Sequence, residues 1–152
     1  MATGDGAYLA LGVVALVSAV FPLVNAELAV VGAVAALPDH NLFLLIAVAT
    51  AAQMVGKSAM YWLGRKGSRL TDGRYARALE RWGDRFAGSR NKVGALVFVS
   101  SISGLPPFYA ISTLAGVFRT SFVAFLVAGT AGRFLHFGAI GLFPSAVRAI
   151  AG

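Results

Sequence analysis

The stretch Phe21-Pro22-Leu23-Val24-Asn25-Ala26-Glu27 places a proline, an amide and a carboxylate inside an otherwise apolar segment. Proline disfavours helix at the residue before it, and Asn25 is a good N-cap residue, so the chain is predicted to break here and to restart as a helix. Glu27 then lies in the first turn, where the helix dipole favours an anion. The same pattern fits a helix boundary in a soluble protein. Composition therefore has to decide whether the chain is a soluble protein or a membrane protein.

Composition indicates an integral membrane protein. Of 152 residues, 58% are hydrophobic and 12% are charged, whereas about 25% of residues are charged in a typical soluble domain. The mean hydropathy is +0.77. The first six residues contain no Lys or Arg, so a cleaved signal peptide is not expected. The absence of cysteine excludes disulfides and thiolate chemistry.

The apolar segments predict a single membrane domain, residues 1–152, with four buried blocks. Ala7–Leu37 is too long for one comfortable span and too short for two with a turn, which favours a re-entrant hairpin broken at Pro22–Asn25. Leu42–Leu63 is long enough to cross the bilayer once. Val93–Phe118 repeats the hairpin pattern around Gly104-Leu105-Pro106-Pro107, and Ser121–Phe143 is a second full span.

The basic residues are concentrated between the two halves. Nine of the 13 Lys and Arg lie in Arg65–Lys92, which predicts a cytoplasmic loop, residues 64–92, beside the membrane. Aromatic and leucine residues recur there at helical spacing and predict a basic amphipathic helix on the membrane surface, with Arg74, Arg77, Arg81 and Arg85 toward lipid headgroups. The apolar stripe argues against nucleic acid as the partner of these arginines.

Each half thus has a broken hairpin followed by one span, and the cytoplasmic loop between them makes the halves an inverted repeat. The predicted fold is therefore an all-α polytopic membrane protein. Interrupted segments in matching positions of two halves are typical of transporter binding sites. We expect the two hairpin tips to meet near the membrane midplane, where helix N-termini attract anions. The predicted substrate or ion site consists of Asn25, Glu27, Gln53, Lys57, Ser101, Ser103, Pro106, Pro107, Tyr109 and Arg133.

Several of these residues have a structural interpretation as well. Lys57 could extend toward the basic loop, and Glu27 with Arg133 could be a static salt bridge that ties the halves together. As a functional group, Glu27 would be a proton carrier or a gate. His136, three residues after Arg133, is interpreted as a packing residue or as a hydrogen-bond partner of Arg133.

The segments Phe21–Leu28, Tyr61-Trp62-Leu63-Gly64-Arg65, Pro106-Pro107 and Ala115-Gly116 resemble the DedA/VTT superfamily of membrane proteins. The resemblance covers Phe21–Phe143 and implies two facing re-entrant hairpins and movement of lipids, including a phosphorylated polyprenyl carrier in bacteria. It places Glu27 at the acidic position of the family. The chain departs from the family pattern at Gly56-Lys57, where many members have Gly-Asp, and in lacking arginines around Pro106. These departures argue against assigning the family's proton coupling to this chain. Arg133 or Lys57 would take the role of the missing arginines.

The leading hypothesis is a transporter or scramblase that passes an anionic, phosphate-bearing lipid across a bacterial cytoplasmic membrane. One alternative is a transporter of a small soluble ion or metabolite, and another is a non-transporting scaffold. An enzyme is not expected, because no nucleophile and base pair and no metal-ligand cluster occurs at membrane depth. No cofactor or metal is predicted. The expected partners are anionic membrane lipids, with a proton and a second copy of the chain left open.

Overall fold

The computed structural model describes residues 2–21, 24–36, 41–67, 90–105 and 107–151. Within these ranges the structure contains six helices and no strands, which confirms the all-α class. In chain order the helices are α1 Ala2–Val20, α2 Ala26–Ala36, α3 Leu42–Gly67, α4 Arg90–Ser103, α5 Phe108–Val117 and α6 Phe122–Ala151. The predicted amphipathic helix and its four arginines lie outside the described residues, as do Pro22 and Pro106.

In the described part of the chain, two helices are long and apolar enough to cross a membrane, α3 over Leu42–Gly67 and α6 over Phe122–Phe143. Large apolar side chains are exposed along several helices, for example Leu9, Leu28, Phe43 and Val123. Exposed apolar surface on this scale is unfavourable in water but suits contact with lipid tails. The structure thus agrees with the membrane class that the composition indicates.

Both predicted breaks are present as interruptions between consecutive helices that pack together, α1 with α2 and α4 with α5. At the first break, Oδ1 of Asn25 accepts a hydrogen bond from the backbone N–H of Leu28 at 3.2 Å, as an N-cap does. At the second break, Gly104 takes a φ of +74° that glycine adopts without steric cost. Local sequence therefore ends and restarts the helices at both places.

At the second break the sequence predicts that Ser103 or Gly104 caps the returning helix, with the prolines in its first turn. Neither Ser103 nor Gly104 caps the returning helix; Pro107 occupies the N-cap position of α5 and supplies no side-chain hydrogen bond. Ser103 instead donates to the carbonyl oxygen of Val99 at 2.8 Å. The spans also run further than predicted: α3 continues to Gly67 with Arg65 and Lys66 in its last turn, and α6 continues past Phe143. Basic residues near a helix C-terminus favour such an extension of α3.

The chain divides into two compact units. Unit 1 comprises Met1–Gly56 and Arg133–Gly152, and unit 2 comprises Lys57–Gly132. Unit 1 therefore holds the first helix pair with the first part of α3 and the last part of α6, and unit 2 holds the second helix pair with the remaining parts. The core of unit 1 is aliphatic apart from one ring, and its buried members include Leu11, Val30, Leu45 and Phe137.

The core of unit 2 contains a cluster of stacked aromatic rings. The rings of Tyr61 and Phe125 stack with centroids 5.1 Å apart, and Phe108 stacks on Phe125 at 6.2 Å. The hydroxyl of Tyr61 donates to the carbonyl oxygen of Thr120 and accepts a hydrogen bond from Nη1 of Arg65 at 2.9 Å. The polar end of this buried tyrosine is thus satisfied at the same place where α5 ends and α6 begins.

Glycines let α3 approach α5 closely in unit 2. A Cβ atom at Gly116 would overlap the carbonyl oxygen of Tyr61, and one at Gly64 would overlap that of Thr113. Both obstacles are backbone atoms, which cannot rotate away. Small residues at such positions are how helices pack tightly in membranes, where no hydrophobic effect drives them together.

Candidate functional site

A cluster of charged and polar groups lies inside unit 1, where α2 meets the second half of α6. Nη1 of Arg133 is 3.6 Å from Oε1 of Glu27, and Nε2 of His136 is 3.1 Å from the same oxygen. The side chain of Arg133 is 6% exposed, that of His136 is 16% exposed and that of Glu27 is 37% exposed. We call these three residues the charged cluster.

Each member of the charged cluster is positioned by local structure. Asn25 caps α2, and Glu27 is the second residue of this helix. Glu27 therefore lies at the positive end of the helix dipole. Arg133 and His136 are three residues apart on α6 and therefore share a face. The guanidinium of Arg133 also lies over the ring of Phe137 at 5.8 Å, and the His136 ring meets the Phe137 ring edge-on at 5.5 Å.

The pairing of His136 corrects the sequence-based interpretation. We expected this histidine to be a packing residue or a partner of Arg133, whereas it hydrogen-bonds Glu27. One carboxylate oxygen thus faces an arginine and a histidine at once. The three-residue spacing gave the shared helix face, but nothing in the sequence indicated that residue 27 lies opposite it.

A second polar contact in unit 1 involves Gln53. Its Nε2 donates to Oγ of Ser18 at 2.9 Å, and Ser18 donates in turn to the carbonyl oxygen of Ala15 at 2.8 Å. Gln53 and Ser18 are buried, as is Thr50 on the same face of α3. Within the described part of the chain, Oε1 of Gln53 has no hydrogen-bond partner. Gln53 therefore joins α1 to α3 and is not a member of the charged cluster.

Lys57 is the buried cation of unit 2. The residue is 4% exposed, and its Nζ lies 5.7 Å from the centroid of the Phe108 ring and 5.9 Å from that of Tyr109. Phe108 is the first residue of α5, so Lys57 is placed at the start of the helix that follows the second break. Aromatic faces attract a cation electrostatically, more strongly where water is excluded. The idea that Lys57 extends toward the basic loop does not fit this burial.

Of the remaining predicted site residues, Ser101, Ser103 and Pro107 lie within the described ranges and Pro106 lies outside them. Ser101 is buried and donates to the carbonyl oxygen of Phe98 at 2.7 Å, and it packs against Gly132, where a Cβ would overlap its Oγ. Ser103 and Pro107 are exposed at the second break. Ser101 is thus a helix-contact residue. Among the described residues, no group of three or more His, Cys, Asp or Glu is placed to hold a metal ion.

The family model for the VTT domain matches residues 14–144, which is most of the chain. The chain belongs to the VTT domain family. This is the DedA/VTT family that the motifs resemble, a family of membrane-associated proteins often regarded as transporters or scramblases. Neither the comparison with curated proteins nor the comparison with solved structures gave a significant match. Family and apolar helices together identify a membrane protein.

Proposed function

We propose that this VTT protein is a transporter or scramblase that moves an anionic, phosphate-bearing lipid across the bilayer. The observation that carries the proposal is the charged cluster, which holds Arg133 buried within the apolar span of α6. An arginine at this depth is costly and is retained mainly where it serves a substrate or ion pathway. The planar guanidinium matches phosphate geometry, so Arg133 is the proposed headgroup ligand.

In this proposal Glu27 is the anionic partner of Arg133 when no substrate is bound, and the phosphate becomes its partner during transport. Its Oε1 balances Arg133 at 3.6 Å in the structure, and the approach of a phosphate would give the guanidinium a second anionic partner. His136 remains hydrogen-bonded to the carboxylate, so Glu27 keeps a partner after Arg133 turns to the substrate. Such an exchange avoids the large cost of a buried charge without a partner. No covalent step is needed.

The proposed architecture is an inverted repeat of two re-entrant hairpins in a bacterial cytoplasmic membrane. Two helix pairs, each interrupted and each followed by a long apolar helix, support it. Orientation follows from charge: nine basic residues in Arg65–Lys92 and Arg119 would be cytoplasmic, with Arg148 outside. The chain lacks cysteine, so single cysteines at Ser68 and Ser145 report sidedness directly. We expect labelling from opposite sides, and labelling of both from one side would refute the inverted repeat.

Reconstitution into liposomes with fluorescent phospholipids tests the function. We expect flux of an anionic phospholipid that falls about ten-fold in Arg133→Gln, because a charge-assisted hydrogen bond contributes about 1.5 to 3 kcal/mol. Lys57→Gln should also slow flux. Its matched control is Lys66→Gln, which removes the same charge from an exposed position on the same helix.

Each competing function predicts a different result in that assay. Flux of a soluble anion such as inorganic phosphate, without lipid flux, would favour an ion or metabolite transporter. A folded wild-type protein that moves neither probe would favour a scaffold. Equal flux in Arg133→Gln and wild type would refute Arg133 as the headgroup ligand.

A further inference from the structure

Unit 2 contains an apolar pocket, and none of the residues that line it belongs to the charged cluster. It is formed by the start of α4, the start of α6 and the turn before α6, and its cavity volume is about 70 Å³. Its walls are apolar and its rim carries two hydroxyl residues: Val93, Val97, Ala124 and Phe125 form the walls, and Thr120 and Ser121 form the rim. Ser121 and Ala124 are exposed, so the pocket opens to the surroundings of the protein.

Basic residues flank the rim of this pocket. Exposed Lys92 directly precedes the wall residue Val93, and exposed Arg119 directly precedes Thr120. The described residues of unit 2 include no Asp or Glu, whereas Arg65 and Lys66 add further positive charge. An apolar pocket with a cationic rim complements a molecule that has an apolar tail and an anionic head.

The backbone holds Arg119 at this rim in an uncommon conformation. Arg119 has a φ of +52°, in the left-handed region that glycine usually occupies at the end of a helix. Its N–H donates to the carbonyl oxygen of Gly116 at 3.0 Å, and the N–H of Thr120 donates to that of Ala115 at 3.0 Å, which is the Schellman pattern. An arginine is less favourable than glycine in this conformation, and the two hydrogen bonds of the turn hold it there.

We infer that this pocket binds a short part of one acyl chain of an anionic phospholipid, with the phosphate held at the rim by Arg119 and Lys92. The hydroxyls of the rim lie between tail and head. Thr120 already donates to the carbonyl oxygen of Ala115 at 2.9 Å, so its side chain positions the turn and leaves phosphate recognition to the two basic residues. Because α4 follows the basic loop in the sequence and the start of α6 lines the same pocket, the proposed orientation places this lipid in the cytoplasmic leaflet.

This lipid site does not depend on transport. A resident lipid at Arg119 would be bound by a non-transporting scaffold as well, and none of its residues belongs to the charged cluster. The test therefore measures binding in detergent and not flux, and its failure would leave the proposed transport untouched.

The test is thermal unfolding of the full chain in a maltoside detergent, titrated with phosphatidylglycerol, phosphatidylcholine or water-soluble glycerophosphate. We expect a saturable rise in the midpoint with phosphatidylglycerol and much smaller rises with the other two, since only the first offers both tail and anionic head. An equal rise with phosphatidylcholine would overturn the role of the basic rim. An equal rise with glycerophosphate would overturn the role of the apolar pocket.

Two variants test the basic rim and the apolar pocket separately. Arg119→Gly relieves the backbone and should raise or preserve the midpoint without lipid, yet weaken phosphatidylglycerol binding about five-fold, the equivalent of one basic contact near a charged headgroup. Gly94→Leu should fill the pocket, because Gly94 lines it and an added Cβ there meets no atom within 4 Å. Gly138→Leu is the matched control, since Gly138 is also helical and open but belongs to unit 1.

The expected result is loss of the lipid-dependent rise in Gly94→Leu, a weakened rise in Arg119→Gly and an unchanged rise in Gly138→Leu. Wild-type affinity for phosphatidylglycerol in both Arg119→Gly and Gly94→Leu would overturn the inference. If Gly94→Leu does not fold, Arg119→Gly alone decides, because that change favours the backbone conformation already present.

Discussion

Units 1 and 2 both bury a cation beside the start of a helix that follows a break, and they surround it with different chemistry. In unit 1, Arg133 faces the carboxylate of Glu27, which His136 also contacts. In unit 2, Lys57 lies over the rings of Phe108 and Tyr109. Another anion can replace the Glu27 carboxylate as the partner of Arg133, whereas no bound anion replaces the aromatic rings that contact Lys57. The comparison therefore assigns exchange of partners to unit 1 and a fixed positive charge to unit 2.

The units also differ in how their helices touch. At Gly116 in unit 2 an added Cβ would overlap three backbone atoms, of Tyr61 and Arg65, whereas at Gly56 in unit 1 it would overlap one atom, the Cβ of Ala19. We expect Gly116→Ala to destabilise the protein by about 3 kcal/mol or more, and Gly56→Ala by less, because fewer atoms have to shift at Gly56 to relieve the overpacking. Thermal unfolding in detergent measures both, with Gly138→Ala as the open control. A smaller loss in Gly116→Ala than in Gly56→Ala would contradict the difference between the contacts.

Replacing each cation by methionine sharpens the comparison between the two sites. Arg133→Met leaves Glu27 without its arginine, and removing one partner of a fully buried pair costs about 3 to 5 kcal/mol. We expect a smaller loss, about 2 kcal/mol, because Glu27 is 37% exposed and keeps His136. The measurement is the unfolding midpoint of the folded, inserted protein. No loss of stability would mean that the ion pair contributes nothing to the fold.

Lys57→Met should be nearly neutral or cost up to about 1 kcal/mol, because a cation over aromatic rings contributes about 0.5 to 2 kcal/mol and methionine also packs well against rings. The same unfolding measurement checks this variant against Arg133→Met. Greater destabilisation by Lys57→Met would reverse our assignment of the two sites.

Local chemistry predicted the positions of the breaks but not the contacts between helices. Asn25 and Gly104 act on their own neighbours in the chain, so their effects are visible in the sequence. The pairing of His136 with Glu27 joins residues 109 positions apart, and spacing along one helix does not indicate which helix faces it. The bond from Gln53 to Ser18 was missed for the same reason.

The end of α6 shows a second limit of sequence reasoning. The predicted span ends at Phe143, directly before Pro144, yet α6 runs on to Ala151. A proline inside a helix removes one hydrogen bond and favours a kink, but neighbouring turns can compensate in membrane helices. Helix ends set by such a balance are less predictable than breaks that contain Gly and Pro together.

Gln53 should have the smallest effect on stability. Gln53→Leu removes the hydrogen bond to Ser18, which destabilises the protein, although Ser18 keeps its bond to the carbonyl oxygen of Ala15. The change also removes a buried amide oxygen that has no hydrogen-bond partner among the described residues, which stabilises the protein. These two effects oppose each other, so we expect the free energy of unfolding to change by no more than about 1 kcal/mol. Unfolding in detergent and lipid flux are measured on the same preparation. Lost flux with preserved stability would restore Gln53 to the substrate site, where the sequence first placed it.

The central claim is that Glu27 and Arg133 serve transport and are not only a structural clasp. A double-mutant cycle with Glu27→Gln, Arg133→Gln and the double variant, scored for both unfolding in detergent and lipid flux in liposomes, tests it most directly. We predict that the double variant regains part of the stability that the single changes lose, because neither charge is then left without its partner, while flux stays low in all three. Wild-type stability together with wild-type flux in the double variant would contradict the claim.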